Sequence, residues 1–191
     1  MKFRWIRNNL STIKFIVSLA IVSIIIGFIL YNNQTPELKK VIIEKVGDLS
    51  INITSTNQNN ILFHLGLLSI LTILSLILIG LPIGLIYYFY EFVSIGYLLS
   101  SLFNYKKLNG LLFGSIFVII NKMLFLLLLS YFLINTINYT KKYLKSLKLS
   151  KKDLIINYLY KCFFVILIVF LNDIIIYYLG NKITSIFLFL L

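Results

Sequence analysis

The chain has 191 residues, of which 60% are apolar and 13% are charged, and its mean hydropathy is +0.96. A soluble globular protein carries about 25% charged residues, so this composition excludes a soluble domain and indicates an integral membrane protein. The net charge of +12 could suit nucleic acid, but the basic residues cluster beside apolar runs, as the positive-inside rule requires. We therefore predict an all-α fold, a polytopic helical bundle in one membrane domain over residues 1–191, with the lipid bilayer and not nucleic acid as its partner.

The first predicted span covers residues 15–31. Basic residues precede it, among them Arg4, Arg7 and Lys14, which predicts a cytoplasmic N-terminus. A cleavable signal peptide has the same charge pattern, but no small-residue cleavage site follows Leu30. We therefore favour a retained span.

Residues 32–60 form the only long polar segment, which this orientation places outside the cell. Thr35 and Pro36 are typical of a helix start. Apolar residues then recur at helical spacing on one face: Leu38, Val41, Ile42, Val46 and Leu49. An amphipathic helix at the membrane surface is predicted. It serves either to cover the ends of the spans or to dock an extracytoplasmic partner, and the sequence favours neither reading.

Residues 61–103 contain no lysine or arginine. As one helix they would be about 64 Å long, which is about twice the hydrocarbon thickness of a bilayer. The run must therefore reverse. The turn is predicted at Gly80, Pro82 and Gly84, because proline removes a backbone donor and glycine weakens a helix. The result is a second span over 61–79 and a third over 83–103.

A polar turn over residues 104–109 leads into a fourth predicted span over 110–135. The segment 139–152 is the most basic in the chain and is predicted to be cytoplasmic, in agreement with the first span. A fifth span over 154–179 then places the C-terminus outside. The sequence leaves open whether the apolar tail 183–191 re-enters the membrane.

Three ionisable residues fall well inside predicted spans: Glu91, Lys122 and Asp173. Such residues cost at least about 2.5 kcal/mol at the bilayer centre, so they face a partner or a cavity. Glu91 and Lys122 lie at equal separations from the 104–109 turn, which puts both about 18 Å from it in an antiparallel hairpin. We predict an ion pair between them. It either fixes the register of the two spans, which we favour, or belongs to an ion or proton path.

Small residues at a spacing of four predict close helix packing, because glycine lets backbones approach each other in lipid. The predicted packing and hinge residues are Gly80, Pro82, Gly84, Gly96, Gly110 and Gly114. Asn121 is a further polar residue inside a predicted span, where its amide can hydrogen-bond to another helix.

The sequence contains no constellation of residues that is typical of catalysis. His64 is the only histidine and Cys162 the only cysteine, which excludes a two-histidine zinc site and leaves no matched pair of nucleophile and base. We therefore expect no enzyme activity, no catalytic residue, no metal site and no cofactor.

Several motifs occur in order between residues 60 and 133: Gly80-Leu81-Pro82-Ile83, Tyr87-Tyr88-Phe89-Tyr90, Ser94-Ile95-Gly96-Tyr97, Asn109-Gly110-Leu111-Leu112-Phe113, and Asn121 in the next span. This order resembles the stage II sporulation protein M family. The layout of five spans with a basic segment before the last is similar as well. Two positions depart from the family pattern, with Phe92 in place of a glycine and Ile119 in place of a proline.

The resemblance implies a non-enzymatic membrane scaffold of endospore-forming bacteria. It would act in engulfment by localising peptidoglycan-degrading partners, stage II sporulation proteins P and D, at the septal membrane. The alternative from another class is a permease-like subunit of a transporter with a cytoplasmic ATPase. Glu91, Lys122 and Asp173 would then line the path, and the segment 139–152 would contact the ATPase.

Overall fold

The structure is a computed structural model that describes residues 2–49, 57–145 and 151–187. These ranges are almost entirely helical and contain no strand, which confirms the all-α class. The helices are α1 Lys2–Asn32, α2 Pro36–Leu49, α3 Asn57–Leu76, α4 Gly80–Val118, α5 Leu124–Lys145, α6 Lys151–Ile175 and α7 Asn181–Ile186. Two π-helical turns, Ile119–Met123 and Ile176–Gly180, follow α4 and α6.

Three described stretches are long and apolar enough to cross a membrane: Asn9–Asn32, Gly80–Lys145 and Lys151–Gly180. A shorter apolar helical stretch, Ile61–Leu76, accompanies them. Large apolar side chains are exposed on the outside of these helices, among them Ile21, Leu62, Ile70, Ile86, Leu127, Phe163 and Phe164. Soluble monomers rarely expose so much contiguous apolar surface, so the architecture is compatible with a membrane protein.

The Gly80–Lys145 stretch reverses direction at Lys106 and Lys107, whose backbone angles are non-helical. Lys107 has a φ of 50°. Beyond this point the chain runs back along itself, so that Gly110 lies directly against Leu102. The reversal falls within the predicted polar turn over residues 104–109.

The turn between α3 and α4 precedes the predicted one. Helix α3 ends at Leu76, Leu78 adopts a φ of 66°, and α4 begins at Gly80. The prediction of a turn over Gly80, Pro82 and Gly84 is therefore wrong, because these residues form the start of α4. Proline is tolerated in the first turn of a helix, where its missing N–H has no helical acceptor in any case.

Helix α1 packs along α4 through two facing glycines. A Cβ atom at Gly96 would collide with the carbonyl oxygen of Ile24, and one at Gly27 with the carbonyl oxygen of Val93. Backbones approach this closely only where no side chain intervenes. Gly96 is thus a packing residue whose partner is α1, and Gly27, which the spacing argument did not include, is the other half of the contact.

The remaining predicted packing glycines lie at three further contacts, the first of which is at Gly80, where a Cβ atom would collide with Ser75 of α3. A Cβ atom at Gly84 would lie 2.9 Å from the Leu133 side chain of α5. Gly110 and Gly114 both lie against Leu102, inside the hairpin that Lys106 and Lys107 close. Between these contacts the bundle has a continuous apolar core, which includes Leu68, Leu71, Leu129, Phe132, Leu133, Val165 and Val169.

The bundle has two ends, which we call the hairpin end and the basic end. At the hairpin end, Ile42 of α2 packs against Leu102 and Phe113 beside the reversal of α4. At the basic end, Asn138 Nδ2 of α5 donates a 2.7 Å hydrogen bond to Asn9 Oδ1 of α1. Helix α2 has the bounds of the predicted amphipathic helix, but the side chains of its last residues lie outside the described set, as do residues 50–56 and 146–150.

Candidate functional site

The structure brings Glu91 of α4 and Lys122 of the first π-helical turn together. Lys122 Nζ lies 2.9 Å from Glu91 Oε2. The Glu91 side chain is 12% exposed and that of Lys122 is 36% exposed, so the pair lies at the border of the core. Tyr87, one turn earlier on α4, donates a 2.8 Å hydrogen bond to the second carboxylate oxygen of Glu91. Both oxygens of the carboxylate are therefore satisfied.

A second pair joins α3 to α6. His64 Nδ1 lies 2.9 Å from Asp173 Oδ2, and the Asp173 side chain is only 5% exposed. Asn172 Nδ2 donates a 3.3 Å hydrogen bond to the other oxygen of Asp173. The sequence argument named Asp173 but did not give it this partner. Both residues lie near the same end of their predicted spans. This shared depth was the sequence signal that could have indicated their pairing.

Aromatic side chains connect the two pairs. The ring of His64 stacks on Phe125, with 3.8 Å between ring centroids and an interplanar angle of 11°. Phe125 follows Lys122 by one helical turn. On the other side, Phe63 lies between the two pairs, with its ring centroid 6.1 Å from that of His64 and 6.2 Å from that of Tyr87. We call the five residues His64, Tyr87, Glu91, Lys122 and Asp173 the polar cluster.

The two π-helical turns pack against each other beside the polar cluster. The first turn contains Asn121 and Lys122, and the second ends at Gly180. Asn121 Nδ2 donates a 3.0 Å hydrogen bond to the carbonyl of Phe117, one turn earlier in the same helical stretch. Its Oδ1 atom would lie 3.1 Å from a Cβ atom at Gly180. Such π-helical turns occur frequently at functional sites.

We expect Gly180→Ala to destabilise the protein by about 1 kcal/mol, because the added methyl group crowds the side chains of Ile176 and Asn121. Asn121→Ala removes the crowded atom, so the double variant should recover part of the loss. Thermal unfolding in detergent measures both effects. Strictly additive losses would show that the two residues do not interact.

The arrangement can hold the helices in register, because each of its two pairs joins residues from different helical segments. Each of its two carboxylates lies 2.9 Å from a nitrogen of another side chain in the polar cluster. In the described ranges, no group of three or more His, Cys, Asp or Glu side chains could hold a metal ion. Cys162 is a buried free thiol in the apolar core.

A scan of protein-family models finds none that matches the chain. Searches of curated proteins and of solved structures likewise return no significant match.

Proposed function

We propose that the chain is a multi-pass membrane scaffold that positions other proteins and carries out no chemistry itself. The observation that carries this proposal is the internal pairing of the polar cluster, in which Glu91 contacts Lys122 and Asp173 contacts His64, each at 2.9 Å. Side chains of a transport path must release their partners to accept a substrate, whereas register pairs stay closed. A polar cluster whose members are paired with one another suits a platform for partner proteins.

The proposed topology has five membrane crossings with the N-terminus in the cytoplasm and the C-terminus outside. The crossings are α1, α3, the arm of α4 before Lys106, the arm after Lys107 continued by α5, and α6. The reversal at Lys106 and Lys107 supports counting two crossings in the Gly80–Lys145 stretch. The apolar part of α3, Ile61–Leu76, would be about 24 Å long, short enough to require local thinning of the bilayer.

By its resemblance to the stage II sporulation protein M family, the scaffold would act during engulfment of the endospore. It would lie in the septal membrane of a bacterial mother cell and recruit the peptidoglycan-degrading stage II sporulation proteins P and D. In this proposal the catalytic groups belong to those partners.

Helix α2 is the proposed contact surface for these partners. Ile42 anchors it to the hairpin end, while Leu38 and Val41 are 50% and 47% exposed. Exposed apolar residues on an anchored helix are what a partner protein can bury. The proposed topology puts this face on the same side of the membrane as the cell wall.

Replacing Leu38 and Val41 by glutamate is expected to abolish recruitment of the hydrolases while leaving the bundle folded, because neither side chain contributes to the core. Co-purification of proteins P and D from sporulating cells measures recruitment. A matched variant of the same helix, Lys40→Gln with Glu44→Gln, should keep it. Undiminished recruitment by the glutamate variant would refute the role of α2.

A permease-like subunit is the second candidate, and the two π-helical turns beside the polar cluster favour it. The two functions predict different partners. An ATPase that co-purifies with the chain, and is lost when lysines of the basic segment are replaced, would support the permease. Hydrolases without an ATPase would support the scaffold.

A further inference from the structure

A pocket of about 310 Å³ lies at the basic end, between α1, α5 and α6. Its volume is at the lower limit of typical ligand sites, which suits a small headgroup or ion. Four asparagines and two lysines line it: Asn9, Asn135, Asn138, Asn157, Lys142 and Lys161. It lies far along α5 and α6 from the polar cluster and belongs to no site described above.

The lining of this pocket favours an anion. Lys142 comes from α5 and Lys161 from α6, so two ammonium groups border one pocket from different helices. Lysine can only donate hydrogen bonds, and asparagine amides add further donors. None of the described side chains that line the pocket is acidic. A ligand with several acceptor oxygens and negative charge matches this set of donors.

A buried hydroxyl provides a second, independent sign of a ligand. Tyr139 lines the pocket and is 4% exposed, and its hydroxyl has no hydrogen-bond partner among the described residues. Its ring is stacked on Tyr158, with centroids 4.4 Å apart, which restricts its reorientation. Buried hydroxyls without a partner are rare because they lose hydration and gain nothing in return. An acceptor oxygen in the pocket would satisfy this one.

We infer that the pocket binds a phosphate group through Lys142, Lys161 and the Tyr139 hydroxyl. The phosphodiester of an anionic lipid headgroup and free inorganic phosphate share this chemistry. Basic pockets between transmembrane helices at the cytoplasmic side are suited to anionic headgroups, and the proposed topology puts this end in the cytoplasm. The phosphate site itself does not depend on whether the chain is a scaffold or a permease subunit.

The experiment measures the thermal unfolding of the full chain in a neutral detergent. Phosphatidylglycerol, phosphatidylcholine and inorganic phosphate are titrated separately at constant ionic strength. We expect phosphatidylglycerol or phosphate to raise the unfolding temperature, and Lys142→Gln with Lys161→Gln to weaken the apparent affinity about 25-fold, at about fivefold for each lysine. Lys141→Gln with Lys152→Gln removes the same charge from exposed positions outside the pocket lining and should leave the affinity unchanged.

The outcomes distinguish a lipid headgroup from free phosphate as the ligand. A response to phosphatidylglycerol alone identifies a lipid headgroup, and a response to phosphate identifies a site for the free ion. The proposal would be overturned if phosphatidylcholine and phosphatidylglycerol stabilise the chain equally and phosphate has no effect. It would also be overturned if the two lysine double variants lose the same amount of ligand affinity. If the pocket variant fails to fold, Tyr139→Phe is measured in its place. A smaller ligand-induced rise in the unfolding temperature supports the site, and an unchanged rise overturns it.

Discussion

Gly96→Ala is expected to push α1 away from α4 and to destabilise the protein by about 3 kcal/mol. The added Cβ atom would collide with the Ile24 carbonyl oxygen. A backbone atom cannot move aside as the end of a flexible side chain can, so the whole helix must shift. Unfolding of the purified protein in detergent, by heat or by added denaturing detergent, measures the loss.

Gly66→Ala is the matched control for this change. Gly66 lies within α3, and a Cβ atom there would meet nothing within 4 Å. The same substitution should therefore be neutral, or stabilise by up to about 1 kcal/mol because alanine favours the helix. Equal stabilities of the two alanine variants would contradict the proposed contact between α1 and α4.

Glu91→Leu is expected to cost about 3 kcal/mol, because it leaves the Lys122 ammonium and the Tyr87 hydroxyl without their acceptor. Because Lys122 is partly exposed, the expected loss of stability lies at the lower end of the range for breaking a buried ion pair. The same replacement at Glu44, on the exposed surface of α2, should have little effect. Unfolding midpoints compare the two variants.

Reversal of the pair provides the sharper measurement. Glu91→Lys alone places two ammonium groups together, and addition of Lys122→Glu restores opposite charges at the same positions. The double variant should therefore be more stable than Glu91→Lys alone by a coupling energy of about 1–3 kcal/mol. If Lys122→Glu brings no improvement, the ion pair does not determine the register of the hairpin.

The depth of charged residues was predictable because an antiparallel hairpin relates depth to residue number. Glu91 and Lys122 are equally far from the 104–109 turn, and their side chains meet. The same reasoning was available for His64 and Asp173, but they belong to spans that are distant in sequence. Because no short turn connects α3 and α6, their shared depth alone does not identify them as neighbours.

The packing partners of the glycines were not predictable from their spacing. A glycine spacing of four identifies a smooth helix face but not the helix that covers it. Gly96 contacts α1, whereas Gly110 and Gly114 lie within their own hairpin. Likewise, Pro82 is compatible both with a turn and with the first turn of a helix, and the structure has the second.

The Glu91–Lys122 pair also bears on biosynthesis. In the proposed topology, a lone Glu91 or Lys122 would enter the bilayer during synthesis as an unpaired ion, at a cost of about 2.5–3.5 kcal/mol each. They are 31 residues apart in the sequence, so the two arms are synthesised one directly after the other. Insertion of the two arms as one unit would avoid the unpaired state, so in this topology the membrane integration of each arm would depend on the charged residue of the other.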